Sequence, residues 1–252
     1  MRFAILAGGQ GTRLSELTTE VNKPLLEIGH IPLVLHVAVR FFIGGAKTIS
    51  LLIGYEADRF LVRFEEARVK LLRSTETPPV IVRMLESVQF EFLDTGPAAD
   101  TYERIRGMCA SAPVMVTYGD TLMDIDVQNV IDFWDANGRT CALTCAVRPP
   151  KRFSSIHWDK STNKALSFEE KKGREANYVG CGYIILPSEK FLSIPEDAQS
   201  LETEVLPRLA QTGQLLVYEH TGFWMPIDYL CELHDAETLW KNASQSGPIW
   251  VK

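Results

Sequence analysis

The chain has 252 residues, 46% of them hydrophobic and 23% charged, with a formal net charge of −6. That is enough apolar material for a well-buried core, and the acidic balance argues against a nucleic-acid-binding surface. No run approaches the ~18 apolar residues of a membrane-spanning helix, and the N-terminus has no signal-peptide layout, so no membrane partner and a cytoplasmic location are expected.

Phe3 to Leu6 reads as a buried first strand. Ile31-Pro32-Leu33 opens a helix through Phe42, ended by Gly44-Gly45. Thr48 to Ile53 is a second strand, and Ala57 to about Leu72 has helical spacing. Val80 to Met84 and Phe90 to Leu93 read as further strands, with Pro78-Pro79 in the loop before them. Asp100-Thr101-Tyr102-Glu103 has the pattern of a capping box and starts a helix to Met108. Val114 to Tyr118 is a strand, Val127 to Asn137 an amphipathic helix capped by Gly138, and Cys141 to Val147 a strand. Ile156 to Trp158 and Ala165 to Phe168 form a hairpin around Ser161-Thr162-Asn163. Tyr183 to Leu186 is a strand, Glu202 to Gln211 a helix ended by Gly213, and Leu215 to Glu219 a strand. Asp228 to Lys241 is a helix, followed by a polar tail with Pro248 and Trp250.

Strands and helices alternate in the first half, which implies an α/β protein with a mixed, mostly parallel central sheet flanked by helices. The hairpin-rich second half adds a small antiparallel portion, and one domain over 1–252 is expected. Five cysteines are scattered along the chain. Cys141 and Cys145 lack a second pair or nearby histidines, so reduced, buried thiols are expected rather than a zinc site.

The most informative stretch comes after the first strand: Leu6-Ala7-Gly8-Gly9-Gln10-Gly11-Thr12-Arg13-Leu14, then Lys23-Pro24-Leu25. Glycines let the backbone turn sharply and approach a ligand. Successive N–H groups in such a loop form a concave anion site, to which Arg13 and Lys23 add positive charge. A nucleoside triphosphate suits it; a structural turn with solvated Arg and Lys is the alternative. The loop is not a Walker A loop, because no Gly-Lys-Ser/Thr comes after it. Nor is it G-x-G-x-x-G, which argues against a dinucleotide-dependent oxidoreductase. Thr12 could place its hydroxyl on phosphates or stabilise the turn.

Asp120 ends the strand Val114 to Tyr118 after Gly119, at the rim where ligands of such sheets sit. It reads as a capping residue or as a Mg²⁺ ligand. Magnesium takes a few carboxylates plus phosphate oxygens. Asp228 in Gly222-Phe223-Trp224-Met225-Pro226-Ile227-Asp228 is the second candidate, although sequence spacing cannot pair residues so far apart.

The glycine loop with Arg13 and Lys23 resembles the signature of nucleoside-diphosphate-sugar pyrophosphorylases. Thr117-Tyr118-Gly119-Asp120, Asp124-Ile125-Asp126, Val147 to Phe153 and Glu219 to Asp228 are similar to the glucose-1-phosphate cytidylyltransferase branch, and the resemblance runs from Met1 to Trp250. It implies a Rossmann-like nucleotidyltransferase fold, a homo-oligomer, and a Mg²⁺-dependent displacement. In it a phosphate oxygen of a small phosphorylated acceptor attacks the α-phosphorus of CTP and pyrophosphate leaves. Arg13 would grip pyrophosphate, Lys23 would contact the acceptor phosphate and α-phosphate, and Asp120 and Asp228 would hold Mg²⁺. Leu6, Ala7, Gly8, Gly9, Gly11, Thr12, Thr101, Arg104 and Gly119 are implied on the nucleotide side. Tyr118, Glu170, Lys171 and Gly182 are implied on the acceptor side. For Arg104 and Lys171 the other reading is a solvated side chain. UTP or dTTP in place of CTP, or a nucleotide-binding subunit without catalysis, are the competing readings.

Two departures from the family bear on substrate. Thr101-Tyr102-Glu103-Arg104 stands where the family has Thr-Gly-Gly-Arg, and Gly180-Cys181-Gly182-Tyr183 where it has Asn-Gly-Gly-Phe. The missing amide at Gly180 predicts a poor fit to glucose 1-phosphate and a preference for a differently shaped phosphate. If Gly180 faces the acceptor, Gly180→Asn should restore hexose phosphate use.

Overall fold

The computed structural model describes residues 1–9, 11, 21–110, 112–148, 155–169, 178–188, 192, 194–195, 197–243 and 247–252. In chain order the first elements are β1 (Arg2–Leu6), a 3-10 turn (Lys23–Leu25), β2 (Glu27–Ile28), β3 (Ile31–Pro32), α1 (Leu33–Ile43) and β4 (Thr48–Ile53). Next come α2 (Ala57–Arg73), α3 (Pro79–Ser87), β5 (Gln89–Asp94), α4 (Thr101–Cys109), β6 (Val114–Tyr118), β7 (Thr121–Met123) and α5 (Val127–Ala136). The remainder holds β8 (Ala142–Val147), β9 (Ser155–Asp159), β10 (Lys164–Glu169), β11 (Val179–Leu186), α6 (Leu206–Gln211), β12 (Leu215–Glu219), β13 (Trp224–Pro226) and α7 (Leu230–Lys241). The chain divides into two compact units. One comprises Met1–Ala4, Ala99–Thr117 and Gln128–Thr221; the other comprises Ile5–Ala98, Tyr118–Val127 and Gly222–Lys252.

In the unit that starts at Ile5, the strand order is β5-β4-β1. β4 and β5 are parallel, from Thr48 opposite Gln89 to Ile53 opposite Asp94. Every residue of α1 from Leu33 to Phe41 is buried, so the helix is enclosed on all sides, as its largely apolar sequence requires. α2 is amphipathic and buries Phe60, Phe64 and Leu71; the Phe64 ring meets Phe90 and Phe92 edge-on. Residues 79–87 form a helix, not the strand expected from Val80-Ile81-Val82. Pro79 sits in the first turn, where its missing N–H costs nothing, and Ile81, Met84 and Leu85 are buried at helical spacing. Burial on one stripe overrides the β-branched preference of three residues. The helix expected from Asp228 begins at Leu230, and the C-terminal segment is not a solvated tail: Ile249–Val251 is a 3-10 turn with Trp250 buried.

Trp250 donates its indole N–H to His36 Nδ1 at 3.3 Å, while His36 Nε2 lies 2.9 Å from the Ile28 carbonyl. This network makes Nε2 the protonated nitrogen. Burial lowers the His36 pKa to about 4, against the upward pull of the Ile28 and Ile31 carbonyls. The unfolded chain takes up this proton near pH 6.5, the folded chain only near 4. The resulting stability is therefore complete above pH 6.5 and lost as pH falls through 4, about 3 kcal/mol in all. Urea unfolding should show wild type losing roughly 2–3 kcal/mol more than His36→Gln between pH 7 and pH 4.5. Equal losses would assign the acid sensitivity to other groups.

The β2–β3 hairpin docks on α7 through Gly29, whose N–H donates to Glu237 Oε1 at 2.9 Å. Gly29 has φ +57°, and a Cβ there would overlap the Trp240 indole. Left-handed strain and overpacking together should make Gly29→Ala cost about 3 kcal/mol. A denaturant midpoint unchanged in Gly29→Ala would contradict this packing.

In the other unit the strand order is β6-β11-β8-β12-β10-β9. β8 and β12 are parallel, Ala142 opposite Leu215 through Ala146 opposite Glu219. β11 is antiparallel to both β6 and β8, and β10 to both β12 and β9, which is the expected hairpin. The result is a mixed α/β fold, with two small antiparallel pairs, β2–β3 and β7–β13. The capping box at Asp100 and Glu103 forms as expected. The Glu202 helix differs: Leu201–Val205 is a π turn, and the α-helix starts at Leu206. Pro207, which has no N–H to donate, sits at that junction. None of the five cysteines is in a disulfide; Cys109, Cys145 and Cys181 are buried, but Cys141 is part-exposed and Cys231 is exposed, not buried as expected. No helix among the described residues is long and apolar enough to cross a membrane.

Candidate active site

The site lies within the unit that starts at Ile5 and grows from the end of β1. The Gly119 N–H donates to the Leu6 carbonyl at 3.0 Å, so the turn after β6 lies against the exit of β1. A Cβ on Gly119 would stand 3.1 Å from that carbonyl and 3.4 Å from Pro24 Cβ. Glycine thus permits the approach that brings Asp120 beside the Lys23–Leu25 turn.

The turn itself is fixed on both sides. The Asn22 side-chain amide donates to the Tyr55 carbonyl at 2.8 Å, and Leu33 N–H donates to the Leu26 carbonyl at 2.8 Å. Pro24 is within the first turn, where its fixed φ is preset for it. Lys23 is 8% exposed.

Asp228 arrives from the far end of the chain. β13 pairs antiparallel with β7, placing Pro226 opposite Thr121, and Ile227 N–H donates to the Asp120 carbonyl at 2.9 Å. This ladder brings the two acids together. The Asp228 and Tyr229 N–H groups both donate to Glu232 Oε2, at 2.5 and 2.9 Å, so buried Glu232 locks the step into α7. Phe223, just before β13, stacks on Trp250 at 5.2 Å between ring centroids.

The three elements converge on one point. Lys23 Nζ lies 2.6 Å from Asp120 Oδ2 and 2.9 Å from Asp228 Oδ1. Burial pulls the Lys23 pKa down, but Asp120 and Asp228 outweigh it, and the net direction is up. The ammonium is therefore held charged. Two hard carboxylates from separate elements thus surround a spot that already carries a cation. That donor set suits Mg²⁺, which takes one or two carboxylates and completes its shell with phosphates and water. Among the described residues no larger cluster of metal-ligating side chains occurs.

Of the residues expected at the site, Lys23, Asp120 and Asp228 come together, with Gly119 as the close-approach residue. Leu6, Ala7 and Gly8 are buried at the exit of β1, and Gly8 accepts from Tyr55 N–H; Gly9 faces open space, and Gly11 has φ +63°. Thr12, Arg13, Glu170 and Lys171 lie outside the described residues. Tyr118 ends β6, half-buried.

Thr101 and Arg104 are on α4 in the other unit. The Thr101 hydroxyl donates to Glu202 Oε2 at 2.7 Å and accepts from Leu201 N–H at 2.8 Å, a structural tie. Arg104 is buried, not solvated. Tyr102 is a core residue and Glu103 completes the cap, which explains both side chains where the family pattern has glycines. Gly180 and Gly182 lie on β11, Gly182 with φ +98°. A Cβ on Gly180 would stand 3.2 Å from the Phe168 ring, so packing accounts for the missing side chain, and Gly180→Asn would press on that ring.

Asn22, Glu232 and Trp250 support the site without having been singled out. Glu232 had a sequence signal, an acid at the third position of a helix whose preceding carboxylate, Asp228, was already a candidate ligand. Asn22 and Trp250 had none, since their partners Tyr55, His36 and Phe223 are distant in sequence.

A family model described as Nucleotidyl transferase matches residues 3–241. The chain is 32% identical over 266 residues to a glucose-1-phosphate cytidylyltransferase from Salmonella typhi, covering 99% of this chain and 100% of the relative. It is 28% identical over 255 residues to the mannose-1-phosphate guanylyltransferase catalytic subunit beta of Xenopus tropicalis, covering 100% of this chain and 68% of that one. Among solved structures, apo-UDP-glucose pyrophosphorylase superposes with a TM-score of 0.77 at 15% identity, covering 96% of this chain and 98% of that one.

Proposed function

The chain belongs to the nucleotidyl transferase family, an enzyme of the sugar-1-phosphate nucleotidyltransferase type, and we propose that it couples CTP to a phosphorylated acceptor and releases pyrophosphate. The observation that carries this reading is the convergence of Lys23, Asp120 and Asp228 at one partly buried point. CTP is favoured because the 32% identical relative spanning the whole chain is named a cytidylyltransferase.

In the proposed reaction an oxygen of the acceptor phosphate forms a bond to the α-phosphorus of CTP. The bond from that phosphorus to the bridging oxygen of pyrophosphate breaks, and pyrophosphate leaves with the electron pair. No covalent enzyme intermediate is required, so the protein's task is alignment and charge stabilisation. Lys23 would hold the acceptor phosphate and α-phosphate side by side, and Arg13 would grip the departing pyrophosphate. Glycines 8, 9 and 11 would let backbone N–H groups reach the triphosphate. Asp120 and Asp228 would hold Mg²⁺, which when bound neutralises triphosphate charge and makes the phosphorus more electrophilic.

We also assign the whole of 1–252 to one nucleotidyltransferase domain, working in the cytoplasm as a homo-oligomer. Glu170 and Lys171 would face the acceptor. On the sequence pattern, which has no amide at 180 to pair with a sugar hydroxyl, glucose 1-phosphate should be a weaker acceptor than another small phosphate. The Cβ direction at Gly180 faces the Phe168 ring, so the packing at 180 lends this expectation no support. One experiment tests both substrates: CTP, UTP, dTTP, GTP and ATP against a panel of sugar 1-phosphates and other small phosphates, scored by pyrophosphate release. A preference for UTP or dTTP would replace the cytidylyl assignment. A highest kcat/KM for glucose 1-phosphate would defeat the acceptor proposal, and no release from any pair would favour a non-catalytic subunit.

A further inference from the structure

We propose that the Lys23 ammonium is a built-in counter-ion that keeps divalent metal off Asp120 and Asp228 until a nucleoside triphosphate arrives. The inference rests on the assignment of those two acids to Mg²⁺ made above. Lys23 Nζ lies between the two carboxylates, 2.6 Å from Asp120 Oδ2 and 2.9 Å from Asp228 Oδ1. Its side chain is only 10% exposed and those of the acids 27% and 21%, so solvent screens the pair of contacts only in part.

Charge balance sets the affinity for metal. Two carboxylates and one ammonium sum to −1, a deficit too small to draw a metal ion strongly. A divalent cation added to the same oxygens would bring three positive charges within a few ångströms, and repulsion at that range is large in a partly buried site. Metal therefore binds well only if the ammonium leaves. The backbone cannot carry it away, because Asn22 is tied to Tyr55 and Leu26 to Leu33 on either side of the turn. Only the side chain can swing, and a charged ammonium needs a new anion to swing to. Triphosphate oxygens supply it, and they complete the metal's coordination in the same event. Metal and nucleotide then each raise the affinity for the other, by the same factor. Free metal finds a site already filled by Lys23, which ties metal loading to substrate loading.

Mn²⁺ titrations followed by electron paramagnetic resonance test this on wild type, Lys23→Met and Asp228→Asn. Without nucleotide, Lys23→Met should bind Mn²⁺ at least tenfold more tightly than wild type. Equal affinities would overturn the counter-ion. If Lys23→Met folds poorly, Lys23→Gln, with melting temperature read against Mn²⁺ concentration, serves as the second variant; it should be stabilised by metal alone where wild type is not, and equal responses would again overturn the proposal. The underlying metal assignment fails separately. With CTP present, wild type should bind Mn²⁺ at least tenfold more tightly than Asp228→Asn, and equal binding there would remove Asp228 from the metal site.

Discussion

Asp228→Asn and Asp120→Asn should each lower kcat by about 10³-fold or more, the scale on which removing one preorganised charge-stabilising group acts. Asn matches Asp in size, so neither substitution creates a cavity. Each leaves Lys23 with one carboxylate partner. The expected stability change is therefore only about 1 kcal/mol, the net value of a hydrogen bond. Circular dichroism and the melting curve should be close to wild type while pyrophosphate release collapses. The backbone that presents Asp228 does not depend on its carboxylate, because the Asp228 N–H is held by Glu232 and Ile227 by the Asp120 carbonyl. An Asp228→Asn enzyme that keeps the wild-type rate at low magnesium would take Asp228 out of the chemistry. A variant that loses activity together with its fold would not isolate the charge, which is why the two readouts are paired.

Lys23→Ala should show the opposite balance, losing both activity and stability. Removing the ammonium leaves Asp120 and Asp228 facing each other with no counter-charge, and breaking such a buried cluster from one side costs about 3 kcal/mol. The side chains of Asp120 and Asp228 are 27% and 21% exposed, so solvent relieves part of the repulsion and the low end of the range applies. Activity should fall by about 10²–10³-fold if Lys23 has the proposed role, since one preorganised cation would then be lost from between the reacting phosphates. Denaturant unfolding and kcat/KM on the same preparation check the two parts. A Lys23→Ala protein as stable as wild type would mean that the carboxylates are neutralised some other way. Full kcat/KM would return Lys23 to a structural role.

The sites where reading along the chain and the folded molecule agree are those governed by local chemistry. Thr48 to Ile53 is a strand with the expected ends, because an apolar run between two turns leaves little choice. The α4 start at Asp100 comes from a capping box that closes within four residues. Gly44, Gly138 and Gly213 end their helices as expected, since a terminating glycine acts on its own neighbours. The segment 79–87 went the other way. Its Val-Ile-Val run carries a strand preference, but the choice was made by what Ile81, Met84 and Leu85 could bury against.

By itself the sequence determined which residues could do chemistry: a glycine loop after a strand, a Lys-Pro step and two acids at the ends of apolar segments, all local patterns with local causes. It also carried enough of the family pattern to imply nucleotidyl transfer. Tertiary structure alone decided that Lys23, Asp120 and Asp228 meet at one point. The two acids are 97 and 205 residues from Lys23, and no periodicity reaches that far. Their meeting depends on the β7–β13 pairing, on the closeness permitted by Gly119, and on the Asn22 tie to Tyr55. Each is a contact between distant segments, formed only when burial of the whole unit offsets the entropy of closing the loops between them.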